Sequence, residues 1–144
     1  MLNGYVVHIF RKGAYMITSN AFNYINVLDK AADASYKRET IISNNIANAT
    51  TPNYKRQDLE FEDVLEKKLL STQYTDINDA VRNVDTSKLE GRQYTDYAGY
   101  SYRLDKNNVD IDTENVELAS EQLRYQTEIQ SVTMDFTRLK TVIK

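Results

Sequence analysis

The stretch Leu118-Ala119-Ser120-Glu121-Gln122-Leu123-Arg124-Tyr125-Gln126-Thr127-Glu128-Ile129-Gln130-Ser131-Val132, continued through Phe136, Leu139 and Ile143, decides how the chain is read. Its seam is Leu118, Gln122, Tyr125, Ile129, Val132, Phe136, Leu139 and Ile143. These positions advance by alternating steps of three and four residues, the spacing that keeps side chains on one face of an α-helix. Only Gln122 breaks the apolar face. Acidic Asp110, Asp112, Glu114 and Glu117 sit where the helix begins, near Asp112 or Thr113, and basic Arg138, Lys140 and Lys144 sit at its end. Side-chain charge therefore complements the helix dipole at both ends. Residues 109–144 are predicted to form a C-terminal coiled-coil helix.

A second helical pattern occupies residues 18–51. Ile25, Leu28, Ala32, Ser35, Glu39, Ile42, Ile46 and Ala49 recur at the same spacing, with a polar middle. Thr18 or Ser19 can cap the entry by accepting a hydrogen bond from an orphaned backbone N–H. Pro52 stops the helix, because it has no N–H and pushes Thr51 out of the α region. A helix of about thirty residues is roughly 45 Å long, and a rod of that length cannot bury its seam on itself.

The central residues 52–108 are weaker. Phe61, Val64, Leu65 and Leu69 suit a short amphipathic helix, which is marginal unless its face is covered. Residues 71–99 are polar without a sustained period and read as loop or disorder. Tyr100 to Leu104 alternates like a strand, and Asp105-Lys106-Asn107-Asn108 is a turn cluster leading to Val109, so a small β hairpin or extended arm is expected there. Residues 1–17 form an N-terminal extension in which Met16 is a candidate start. The expected fold is mainly α: two long terminal helices pairing as a coiled-coil-like unit, joined by a weakly structured middle.

Composition excludes several functions. The 144 residues include 18 basic and 21 acidic side chains, a net charge of −3, which offers no general attraction to nucleic acid. Tyr94, Tyr97, Tyr100 and Tyr102 can stack bases, but only Arg92 and Arg103 flank them, and Asp96 and Asp105 oppose phosphate. An interfacial arm explains the same tyrosines. No cysteine is present, which removes disulfides and thiolate chemistry. The single histidine, His8, has no nucleophile or carboxylate close in sequence. A calcium loop starting at Asp105 fails, since Val109, Asp110 and Val116 fall where a ligand, a glycine and a glutamate are needed. No cofactor is expected. No stretch approaches the roughly 20 apolar residues of a membrane span. Tyr5 to Phe10 is too short for a secretory core and precedes its cations, so a cleaved signal is not expected.

The segment from Ile42 to Lys55 resists a purely scaffolding explanation. Asn44, Asn45 and Asn48 lie near a helix end, where their side chains compete with the backbone for hydrogen bonds. They fall beside the apolar seam, with amides able to pair with neighbouring chains, and Asn53 is a residue that tolerates a left-handed turn. Ordinary fraying of the helix into a turn is the alternative.

Ser43-Asn44-Asn45-Ile46-Ala47-Asn48, followed by Thr51-Pro52-Asn53-Tyr54-Lys55, resembles the N-terminal signature of bacterial flagellar axial proteins of the rod and hook class. The Asn53 form is nearer to proximal rod members than to those with glycine at that place. Asn107-Asn108-Val109-Asp110-Ile111-Asp112, then Glu117-Leu118-Ala119 and Gln122-Leu123-Arg124-Tyr125, is similar to the C-terminal region of the same family. The likeness covers roughly residues 19–70 and 105–144. Lys106, Asn115 and Glu121 depart from it, standing where Gly, Met and Asn are common. The resemblance implies a non-enzymatic structural subunit of the flagellar basal body, exported unprocessed and polymerised into the rod. It implies as partners copies of itself, other rod subunits, the basal-body ring and the export apparatus. The expected assembly residues are Ile25, Leu28, Ile42, Asn44, Asn45, Ile46, Asn48, Pro52 and Tyr54 near the first helix. On the last helix they are Leu118, Gln122, Tyr125, Ile129, Val132, Phe136, Leu139 and Ile143. The competing reading is a cytosolic helical adaptor or export chaperone, which would also carry amphipathic helices and an acidic surface.

Overall fold

The computed structural model describes residues 22–71, 73–97 and 104–142. Along the chain the elements are α1 (Asn23–Ala47), β1 (Gln57–Glu60), α2 (Glu62–Leu70), α3 (Ile77–Asn83), a 3-10 turn (Thr86–Lys88), β2 (Arg92–Thr95) and α4 (Ile111–Val142). The expected extension at 1–17, the Thr18 or Ser19 cap, Tyr100 to Arg103 and Ile143 lie outside the described residues. No helix among the described residues is long and apolar enough to cross a membrane.

α1 and α4 pack along one another. They run antiparallel, since Asn45 near the end of α1 bonds Glu114 near the start of α4, while Arg38, seven residues earlier in α1, bonds Glu121, seven later in α4. Tyr36 and Tyr125 meet between them with ring centroids 6.1 Å apart. α1 leaves the helix at Asn48 and turns through Asn53, whose φ of 61° is left-handed. The expected turn at Asn53 is present. The helix ends four residues before Pro52's predecessor Thr51, so Pro52 bars continuation from within the turn rather than from the last helical residue.

The neighbouring face of α1 carries the apolar core. Ala34 and Ile41 pack with Leu59, Phe61 and Leu89, and Ala31, Val64 and Leu65 close over them. α2 is the amphipathic helix expected around Phe61, Val64, Leu65 and Leu69, and Glu62, Asp63 at its start and Lys67, Lys68 at its end suit its dipole. β1 and β2 pair antiparallel, with Gln57 opposite Thr95 and Glu60 opposite Arg92. Gly91 precedes β2 where a Cβ would stand 2.8 Å from Leu59 Cγ, so the strand can pass over this buried leucine only without a side chain.

One expectation needs correction. Residues 71–99 are not a featureless loop: α3, the 3-10 turn and β2 lie there. α3 starts on Asp76, whose side chain accepts from Asn78 N–H, and the 3-10 turn starts on Asp85 in the same way with Ser87. Ala80, Val81, Val84 and Leu89 are buried by these elements. The small sheet expected in the middle is present and pairs β1 with β2; residues 100–103, expected to supply a strand, lie outside the described residues. The sheet joins two segments that are 32 to 38 residues apart, and Leu104 is a fully exposed turn residue.

Candidate assembly surface

The first feature of the α1–α4 seam is a polar clasp. Arg56, which follows the turn, sends Nε to Glu114 Oε1 (2.5 Å), Nη1 to Asp58 Oδ2 (2.9 Å) and Nη2 to Glu117 Oε2 (2.6 Å). Glu114 is 1% exposed, so its charge is compensated almost wholly by Arg56 and by Asn45 Nδ2 at 2.9 Å. Two turns along the seam from Asn45, Arg38 donates to Leu59 O, to both oxygens of Glu62 and to Glu121 Oε1. Arg124 adds a second cation to Glu62 and Glu121. The hydrogen bond from Arg38 holds the Glu62 carboxyl down to about 2, against the cost of its partial burial.

Asparagines complete the clasp. Asn45 Nδ2 donates to Gln57 O and its Oδ1 accepts from Gln57 N–H, so the side chain pairs with Gln57 as a neighbouring strand would. Tyr54 Oη donates to the same oxygen at 3.2 Å, and with the Glu114 bond every hydrogen-bonding site of the amide is used. Asn107, also buried, donates to the carbonyls of Asn48, Ala49 and Thr51 and so ties down the turn that follows α1. Asn108 accepts from Arg56 N–H and donates to Asp96 O, extending the pairing next to the sheet. Lys106 takes a left-handed φ of 61° in this turn, the conformation for which glycine is the usual residue.

Further along, the clasp weakens. Glu114, Glu121, Glu128 and Asp135 recur every seven residues, and the first three of them meet α1. One carboxylate oxygen of Glu121 and one of Glu128 are buried without a partner. Burial pushes the Glu128 carboxyl up, with a hydrogen bond from Ser35 and the charge of Arg124 offsetting it in part. A carboxyl raised on folding destabilises the fold once pH exceeds its unfolded value. Glu128→Gln is therefore expected to raise the melting temperature at pH 7 and to leave it nearly unchanged near pH 3.5, where the carboxyl is protonated in both states. Thermal denaturation of both chains at the two pH values checks this. For Glu62 the sign is reversed: its contribution is complete above the unfolded value near 4.5 and is lost as pH falls towards 2.

The second feature is what the seam leaves outside. Leu118, Tyr125, Val132 and Leu139 are half-buried. Gln122, Ile129 and Phe136 are exposed, Ile129 at 42% and Phe136 at 51%. The apolar stripe of α4 is thus split, one edge against α1 and the other in solvent. Of the N-terminal residues expected at an assembly surface, Ile25, Ile42 and Asn45 are buried within the chain, and Leu28, Ile46, Asn48 and Tyr54 are half-buried. Asn48 bonds Asn44 O and Thr51 inside its own turn. Asn44 and Pro52 are exposed. The sequence reading missed Arg38, Arg56, Glu114, Asn107 and Asn108 as seam residues. Arg56 and Asn107 had a signal available: each flanks a turn predicted next to a helix end, where unpaired carbonyls and dipoles need partners.

Comparison with known proteins agrees with this arrangement. Residues 25–55, covering α1 and the turn after it, match the family described as flagella basal body rod protein. The flagellar basal body rod protein FlgB of Bacillus subtilis is 35% identical over 120 residues, 83% of this chain and 92% of that protein. FlgB of Aquifex aeolicus is 34% identical over 123 residues, 85% of this chain and 94% of its own length. FlgB of Borreliella burgdorferi is 31% identical over 117 residues, 70% of this chain and 86% of its own. The first two matches each cover more than four-fifths of this chain, and on these relatives the chain belongs to the FlgB-type flagellar basal body rod protein family.

Proposed function

We propose that the chain is a non-catalytic building block that is exported unprocessed through the flagellar type III apparatus and polymerises into the basal-body rod through its terminal helices. Under this reading its neighbours are copies of itself, other rod subunits, the basal-body ring and the export apparatus, and its final position is outside the cytoplasmic membrane. The observation that carries the reading is the solvent edge of α4. Ile129 and Phe136 stand seven residues apart on a helix whose other edge is occupied by α1. Exposed apolar area of this kind favours association by roughly 25 cal/mol per Å² removed from water. Asn44, exposed in the last turn of α1, and Pro52, exposed in the turn that follows, belong to the same proposed surface.

The competing reading, a cytosolic helical adaptor or export chaperone, would use the same stripe for a transient client. Fractionation separates the two. The chain is expected to co-purify with detergent-extracted basal bodies in a fixed ratio to other rod subunits, and a strain lacking it is expected to be non-motile. Recovery only in the cytosol, with basal bodies complete in its absence, would exclude the rod reading.

A further inference from the structure

α2 and α3 diverge around a groove of about 440 Å³ that the fold itself leaves open. Leu65, Leu69 and Leu70 line it from α2, and Ile77 and Ala80 from α3. Leu70 and Ile77 are 74% and 68% exposed, unusual for large aliphatic side chains beside a concave surface. The charged residues at its rim are all acidic: Glu66 and Asp76, with Glu62 at one end already held by Arg38 and Arg124.

We infer that this groove receives the distal part of α4 from a second copy of the chain. The complementary element is the outer stripe of α4. Ile129, Thr133, Phe136 and Lys140 fall on one stripe of α4 by helical spacing, all exposed, with Arg138 next to it. The stripe presents Ile129 and Phe136 with Thr133 between them and ends on the cation of Lys140, Arg138 beside it being paired with Asp135, as the groove is apolar along its floor and acidic at its rim. From Ile129 to Lys140 is roughly 16 Å of helix, against roughly 14 Å for the nine residues of α2. Groove and stripe are different surfaces of one molecule, so each copy offers the next an unused groove and an unused stripe. Such heterologous contacts propagate into an open assembly when the rotation between copies does not close. The inference rests on the rod reading and specifies one of its contacts.

The test places a photoreactive benzophenone amino acid at Ile77, and separately at Tyr74 in case the first placement hinders incorporation, in cells that assemble rods. After illumination, basal bodies are purified and adducts are mapped by mass spectrometry. The expected adduct joins the probe to a peptide spanning residues 129–140 of another copy. An adduct to a different basal-body protein, to the groove of another copy, or no adduct in rods that contain the chain overturns the inference and leaves the rod reading standing. Absence of the chain from basal bodies defeats both. Charge exchange supplies a second arm. Glu66→Lys is expected to reduce swimming several-fold and Lys140→Glu in the same chain to restore it; failure of the pair to recover counts against the contact.

Discussion

An Arg56→Ala chain is expected to lose about 3–5 kcal/mol of stability, which lowers the melting temperature by roughly 10–20 °C. The reason is what the substitution leaves behind. Glu114 is buried, and without Arg56 its charge keeps only the neutral amide of Asn45. Asp58 and Glu117 lose the same cation, and of the three carboxylates only Asp58 keeps another, Arg38 Nε at 3.7 Å. Arg56→Lys should fall between, because an ammonium keeps the charge but cannot satisfy three carboxylates through a planar fork. Adding Glu114→Gln to Arg56→Ala should recover a substantial part of the loss, since the buried group is then neutral. Denaturant unfolding of the four chains checks the series. A loss below about 1 kcal/mol for Arg56→Ala, the value typical of exposed ion pairs, would show that the clasp is solvated.

The second large effect separates folding from assembly. Phe136→Asp, and independently Ile129→Asp, should leave thermal stability within about 0.5 kcal/mol of the parent, as substitutions at exposed positions generally do. Both should nevertheless abolish incorporation into the rod. A carboxylate forced into an apolar contact without a partner costs several kcal/mol, and in a polymer every copy carries that cost. Val132→Asp, on the half-buried edge, should lose stability and incorporation together. Circular dichroism melts paired with swimming assays distinguish the three chains. Normal motility in the Ile129→Asp or Phe136→Asp strain would remove this edge of α4 from the assembly surface.

How much of this was legible in the sequence depends on distance along the chain. α1, α2 and α4 are written in local periodicity, and the stop at Pro52 and the left-handed Asn53 are properties of single residues. The carboxylates of α4 were not legible. A glutamate at 114 or 121 looks like a solvated position until Arg56 and Arg38, 58 and 83 residues away, are known to meet it. The sheet was hidden for a related reason. Gln57–Glu60 and Arg92–Thr95 have one aliphatic residue between them, Leu59, so neither strand has an alternation to read. α3 is short, and its Asp76 cap was the only local sign of it. The expected surface was read best on α4 and least well on α1. There, a single seam was assigned to a helix that uses two faces, one for Leu59, Phe61 and Leu89 and one for α4.

The turn after α1 is tied down by Asn107, and Asn45 and Arg56 wait for Glu114, contacts that bridge 58 to 69 residues. Loop closure over such a span must precede any gain from the contacts it permits. A nascent chain emerging amino end first therefore cannot complete these contacts until residues 107–114 have been made. Any fragment stopping short of residue 114 lacks the buried carboxylate permanently, which makes the length of the polypeptide itself the gatekeeper of its own shape.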